Sequence, residues 1–145
     1  MTLDTLIQAA NIFVLPGWLL LAFAPRWKHS AKLISAVIIP GLLAVVYIWL
    51  VAVGWNQSVG DMDTVAGIQS FFQTPEILAA GWIHYLALDL FVGSWEVREA
   101  QRAGIPHWAV LPCLVLTLAF APAGLLLFLL LRGALTGAWA LSRPT

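Results

Sequence analysis

Four runs of about twenty apolar residues divide this chain, and nothing else in it restricts the fold so strongly. They cover residues 6–24, 33–53, 77–95 and 108–131. A hydrocarbon core about 30 Å thick is crossed by roughly 20 residues of helix, each rising about 1.5 Å. Backbone groups in lipid must find partners within their own segment, which favours helices over open sheet. The runs also lack the polar–apolar alternation of membrane-barrel strands. The expected fold class is all-α: one domain, residues 1–145, forming an integral membrane bundle of four transmembrane helices.

Composition agrees. The chain is 61% hydrophobic and 10% charged, against about 25% charged in ordinary soluble domains. Its formal net charge is zero, and no basic run is interleaved with aromatics. The expected partner is therefore the lipid bilayer, not nucleic acid. A single cysteine, Cys113, excludes an internal disulfide and a thiolate zinc site. The first charge is Asp4, and no small-residue cleavage site follows the first run. That run reads as a retained span, not a signal peptide.

The breaks between runs have recognisable chemistry. Pro25 and the cluster Arg26, Trp27, Lys28, His29 close the first span, and residues 54–63 close the second. Thr74-Pro75-Glu76 reads as an N-cap, a proline at the first helical position and an acid at the positive helix end. Gly104 reads as a C-cap before Pro106. Val65, Ile68 and Phe72 recur at helical spacing, predicting a short amphipathic helix at the membrane surface, with a substrate gate as the sharper reading.

Five of the seven cationic residues (Arg26, Lys28, Lys32, Arg98 and Arg102) fall in the first and third connections. The second connection carries Asp61 and Asp63 and no lysine or arginine. The positive-inside rule then places both termini outside the cytoplasm, with Arg132 and Arg143 running against it. Trp27, Trp55, Trp95, Trp108 and Trp139 lie near span ends, as an aromatic belt requires.

Inside the third run, Gly81–Gly93, stand His84 and Asp89. A carboxylate at mid-membrane costs about 2.5–3.5 kcal/mol on insertion scales, so it marks a functional site facing protein or water. Trp82, Tyr85, Asp89, Val92 and Glu96 form one helical stripe. His84 points about 140° away from Asp89, about 7.5 Å along the axis. The two could border one cavity from neighbouring faces, or meet across a π-bulge. Helical rise puts Asn11 and Tyr47 near the depth of His84, and Thr117 near that of Asp89. The plainer alternatives are an interhelical hydrogen bond for His84 and interfacial charge for Glu96 beside Arg98.

No metal site is expected. The chain has no Glu-x-x-His repeat and no His-x-x-x-His pair. His84, Asp89 and His107 would form a triad only if the fourth helix began deep in the membrane. Nucleotide-binding glycine loops, haem-attachment motifs and nucleophile elbows are absent.

The segments G-W-I-H-Y-L-A-L-D-L-F-V-G (Gly81–Gly93), G-I-P-H (Gly104–His107) and P-C-L-V-L-T-L-A-F-A-P-A-G (Pro112–Gly124) resemble the abscisic-acid-deficient-four-like family. Plant chloroplast members are associated with forming neoxanthin from violaxanthin. The resemblance covers about the last 70 residues, and its W-I-H…D-L-F core is the most specific part. The G-I-P-H element is what bacterial-type members would carry, which makes a bacterial inner membrane the expected location.

The resemblance implies a membrane protein that handles a carotenoid or isoprenoid ligand, with no cofactor. The implied chemistry is an isomerisation in which an epoxide opens as a neighbouring carbon loses a proton. Asp89 as acid and His84 as base are the implied catalytic pair, with the roles open to reversal. Asn11, Tyr47, Trp82, Tyr85 and Thr117 are the expected substrate contacts. The other reading is a non-catalytic carotenoid-binding or accessory subunit of a larger membrane pigment–protein complex. Either reading accommodates an oligomer.

Overall fold

The computed structural model describes residues 2–27, 29–137 and 139. The expectations that fall on Lys28 and Arg143 lie outside them. Among the described residues every regular element is helical. We number them α1 (Leu3–Phe23), α2 (Ser30–Gly54), α3 (Val65–Phe71), α4 (Pro75–Arg102), α5 (His107–Ala119) and α6 (Ala121–Thr136). Three of them, α1, α2 and α4, are long and apolar enough to cross a membrane.

The expected four-helix plan is corrected at its last member. The run 108–131 is not one helix but two, because α5 stops at Ala119 and α6 starts at Ala121. Phe120 between them is extended, with φ −150° and ψ 80°. Pro122 explains the break: in a continuous helix its ring would meet the Leu118 carbonyl, and it has no N–H to donate. Apolar content cannot reveal this, since both halves are as oily as a span.

The other boundaries follow local chemistry. α4 begins at Pro75, as the Thr74-Pro75-Glu76 pattern predicts. It ends in a Schellman turn. Gly104 has φ +71°, Ile105 N–H reaches the Ala100 carbonyl at 2.9 Å, and Gly104 N–H reaches that of Gln101 at 3.4 Å. α3 forms where Val65, Ile68 and Phe72 predict a helix, capped by the Thr64 hydroxyl, which accepts from Gly67 N–H. α2 opens as a π-helix over Ser30–Ile38 and continues as α-helix from Ile39. The change of winding coincides with Pro40, whose nitrogen cannot donate to the Ala36 carbonyl. The third membrane run, where a π-bulge would join His84 to Asp89, is regular α-helix throughout.

The chain forms two compact units, Met1–Leu15 with Ile38–Leu88, and Pro16–Val37 with Asp89–Thr145. In the first unit, Ala10, Val14, Leu43, Leu50, Ile77 and Ile83 are among the buried apolar side chains. In the second, Leu21, Leu90, Val97, Val110, Leu114 and Phe128 are. The second unit also buries a set of polar side chains. Ser30 and Ser35 donate to the Leu20 and Gly17 carbonyls at 3.1 and 3.0 Å, tying α2 to α1 as hydroxyls do in lipid-embedded bundles. Trp95 packs edge-on against Phe128 with centroids 5.5 Å apart. α4 runs seven residues beyond it, to Arg102.

Candidate functional site

The first unit contains a cavity of about 850 Å³. Its frame is the start of α1, the end of α2, the turn after α3 and the first half of α4. Apolar and aromatic side chains dominate the lining, and Tyr47, His84 and Tyr85 bring polar groups to it. Small residues on α4 leave the room. At Gly81 a Cβ would come within 2.9 Å of the Phe72 ring, so the absence of a side chain lets Phe72 lie against the helix.

The polar groups of this unit are organised by two contacts. Tyr47 and His84 are ring neighbours, with centroids 5.5 Å apart and planes tilted by 50°. Trp82 donates its indole N–H to the Asn11 side-chain oxygen at 2.9 Å, linking α4 to α1. Trp82 also stacks at a tilt with Tyr85, 5.4 Å between centroids. Of the seven residues expected from sequence, Tyr47, Trp82, His84 and Tyr85 line the cavity, and Asn11 is joined to them through Trp82. Asp4 also lines the cavity. It precedes the first apolar run, where a search for charges within spans does not look.

Asp89 and Thr117 belong to the second unit. Asp89 is buried, at 6% exposure, so it does not face acyl chains. Thr117 is wholly buried, and its hydroxyl lies 2.9 and 3.1 Å from the two carboxyl oxygens of Glu96. Glu96 is itself 0% exposed. This corrects the reading of Glu96 as interfacial charge beside Arg98, whose Nε instead donates to the Ser94 carbonyl at 3.3 Å. The stripe that carries Glu96 does not reveal this burial, since Trp82 on the same stripe is exposed and Tyr85 and Val92 are half-buried. Proximity to Arg98 masked it.

Sequence reasoning missed a third buried acid. Glu99, 7% exposed, accepts from Arg132 Nε at 2.9 Å and pairs with Arg102 at 3.1 Å. Arg132 is 3% exposed and lies on α6. His107, considered above for a metal triad, hydrogen-bonds the Ala22 carbonyl from Nε2 at 2.8 Å. A carbonyl only accepts, so this nitrogen carries the proton. Its role here is to tie the start of α5 to α1.

Residues 5–128, from the first turn of α1 to the middle of α6, match the family model described as ABA DEFICIENT 4-like. The chain belongs to that family. It is 26% identical over 121 residues to the protein ABA DEFICIENT 4, chloroplastic, of Arabidopsis thaliana, an alignment covering 77% of this chain and 53% of that relative. The chain thus spans about half the length of the curated relative it matches. No solved structure matches it. The ABA DEFICIENT 4-like match includes Tyr47, Trp82, His84 and Tyr85 of the cavity wall and both members of the Glu96–Thr117 pair, and it begins just after Asp4. That relative's chloroplast designation gives no support to the bacterial inner membrane expected from G-I-P-H.

Proposed function

We propose that this ABA DEFICIENT 4-like protein acts on a carotenoid-like polyene, taking one oxygenated end group into the cavity of the first unit. The observation that carries the reading is the pairing of Tyr47 and His84 on the wall of a largely apolar, aromatic-lined cavity. Such a cavity suits an oily ring, while two polar groups address its oxygen. A polyene already dissolved in the bilayer needs no aqueous route to it.

The reaction we favour is an isomerisation of an epoxide conjugated to a double bond. His84 takes a proton from the vinylic carbon, and the electrons of that C–H bond form the second double bond of an allene. The epoxide C–O bond breaks, and the oxygen takes a proton to become a hydroxyl. Tyr47, the ring beside His84, is the donor in this scheme, and passing the proton from His84 back to Tyr47 restores the site. Atoms balance and no oxidant or reductant is consumed. Asp89, the acid expected from the sequence, is not among the residues that line the cavity, so this scheme gives the acid's place to Tyr47.

The test is pigment extraction and mass spectrometry on cells supplied with an epoxy-carotenoid, and on the purified protein. Expected results are a bound polyene and an allenic product from the wild type. His84→Ala and Tyr47→Phe should keep the polyene and lose the product. Product loss in Asp89→Asn alone would return the acid's role to Asp89. A bound pigment with no product in any form would favour the non-catalytic pigment-binding reading. Neither pigment nor product would end both.

A further inference from the structure

We infer that α5 and α6 form a re-entrant helical hairpin, entering and leaving the membrane on one face, so that the chain crosses only three times. The segment after Thr136 then lies on the face of the cationic connections, not opposite them as four crossings require.

Length is the first argument. α5 has 13 residues and α6 has 16, or about 20 and 24 Å of helix, so neither alone crosses a core of about 30 Å. Joined end to end they could cross, but the structure turns the chain back. A Cβ placed on Gly124, near the start of α6, would overlap the backbone and hydroxyl of Thr117 on α5. Two helices come that close, seven residues apart in sequence, only by folding against each other.

The ends of the hairpin give the second argument. Arg132, near the end of α6, donates to Glu99 at 2.9 Å, and Glu99 is three residues from the end of α4. Residues 108–131 laid out as one crossing would carry Arg132 about 36 Å away along the helix axis. The same end of the second unit gathers the first and third connections. Gln101 donates to the Pro25 carbonyl at 2.6 Å, and His107 bonds the Ala22 carbonyl at 2.8 Å.

Non-helical backbone at membrane depth is tolerated only where its polar groups are satisfied. At the Phe120 break they are. Phe120 N–H reaches the Leu116 carbonyl at 2.6 Å, and the Phe120 carbonyl accepts from Ala123 and Gly124 at 2.9 and 3.0 Å.

Charge gives the third argument. With four crossings Arg132 sits on the face opposite Arg26, Lys32, Arg98 and Arg102. With three, all five share one face, and the conflict with the positive-inside rule disappears. The N-terminal end of α1 faces the non-cytoplasmic side, and the segment after α6 faces the cytoplasm.

Single-cysteine labelling tests this in the full chain, with Cys113→Ala as the background. Ser58→Cys reports the connection after α2, Ala103→Cys the one after α4, and Trp139→Cys the segment after α6. A membrane-impermeant maleimide is applied to intact bacterial cells and to inverted vesicles. The expected result is that Trp139→Cys labels with Ala103→Cys in inverted vesicles, and Ser58→Cys labels in intact cells. Labelling of Trp139→Cys together with Ser58→Cys would overturn the hairpin. Fusions at the C-terminus read the same question with the hairpin unaltered. A fluorescent protein that matures only in the cytoplasm should light up and a periplasm-dependent phosphatase should stay inactive, and the reverse pattern would again refute it.

Discussion

The Thr117 hydroxyl lies 2.9 Å from one carboxyl oxygen of Glu96 and 3.1 Å from the other, and both residues are fully buried. Thr117→Val keeps the shape and removes the donor. Leaving a buried acceptor without its partner costs about 1–3 kcal/mol. Thermal unfolding of the detergent-solubilised protein should show Thr117→Val clearly less stable than wild type. Glu96→Gln, which still accepts from Thr117, should lose less. Equal losses in both would mean that this hydrogen bond is not what holds the pair.

Glu99 is shared between Arg132 and Arg102. Breaking a buried ion pair by removing one partner costs about 3–5 kcal/mol, because the other charge stays buried. Arg102 remains to Glu99 in Arg132→Met, so the loss should fall near the low end. Removing both charges, in Arg132→Met with Glu99→Leu, should recover much of it. A double-mutant cycle on unfolding free energy reads the coupling, and additive losses would contradict it.

Gly124→Leu should prevent α6 from folding onto α5. The obstructing atoms belong partly to the Thr117 backbone, which cannot swing aside as a side-chain tip can. Overpacking a tight contact typically costs about 1–3 kcal/mol, and backbone obstruction belongs at the upper end. Gly41→Leu is the control, since nothing lies within 4 Å of a Cβ there. Membrane-fraction levels of the two variants should differ markedly.

Gly81→Leu probes the cavity. Its Cβ would press on the Phe72 ring, a side chain that can yield, so the stability cost should fall at the low end of the about 1–3 kcal/mol typical of overpacking. The added branch occupies cavity space, and bound pigment per mole of protein should fall severalfold relative to Gly41→Leu. Unchanged pigment would place the ligand elsewhere.

Five of the expected site residues come together because they lie at comparable depth on α1, α2 and α4, and helical rise alone gives depth. Rotation about each axis is a different quantity. Position along α4 also counts, since the division between units falls between Leu88 and Asp89, leaving His84 on the first unit's cavity and Asp89 buried in the second. Glu99 and Arg132 were not legible as a pair. They are 33 residues apart, and each reads locally as an ordinary charge at a helix end.

What the chain's own residues determined is the presence of helices apolar enough to span a membrane. Long apolar runs admit only helices in lipid, and Pro75, Gly104 and the Val65–Ile68–Phe72 pattern mark where helices begin, end or lie short. Those are local effects of hydropathy, missing N–H groups and permitted φ values. The tertiary structure decided that the last apolar run folds back as two helices and which acids are sheltered. Pro122 breaks the last run, yet proline only permits a turn. The hairpin exists because Gly124 lets α6 close on Thr117 and because Glu99 receives Arg132, contacts that no single segment contains.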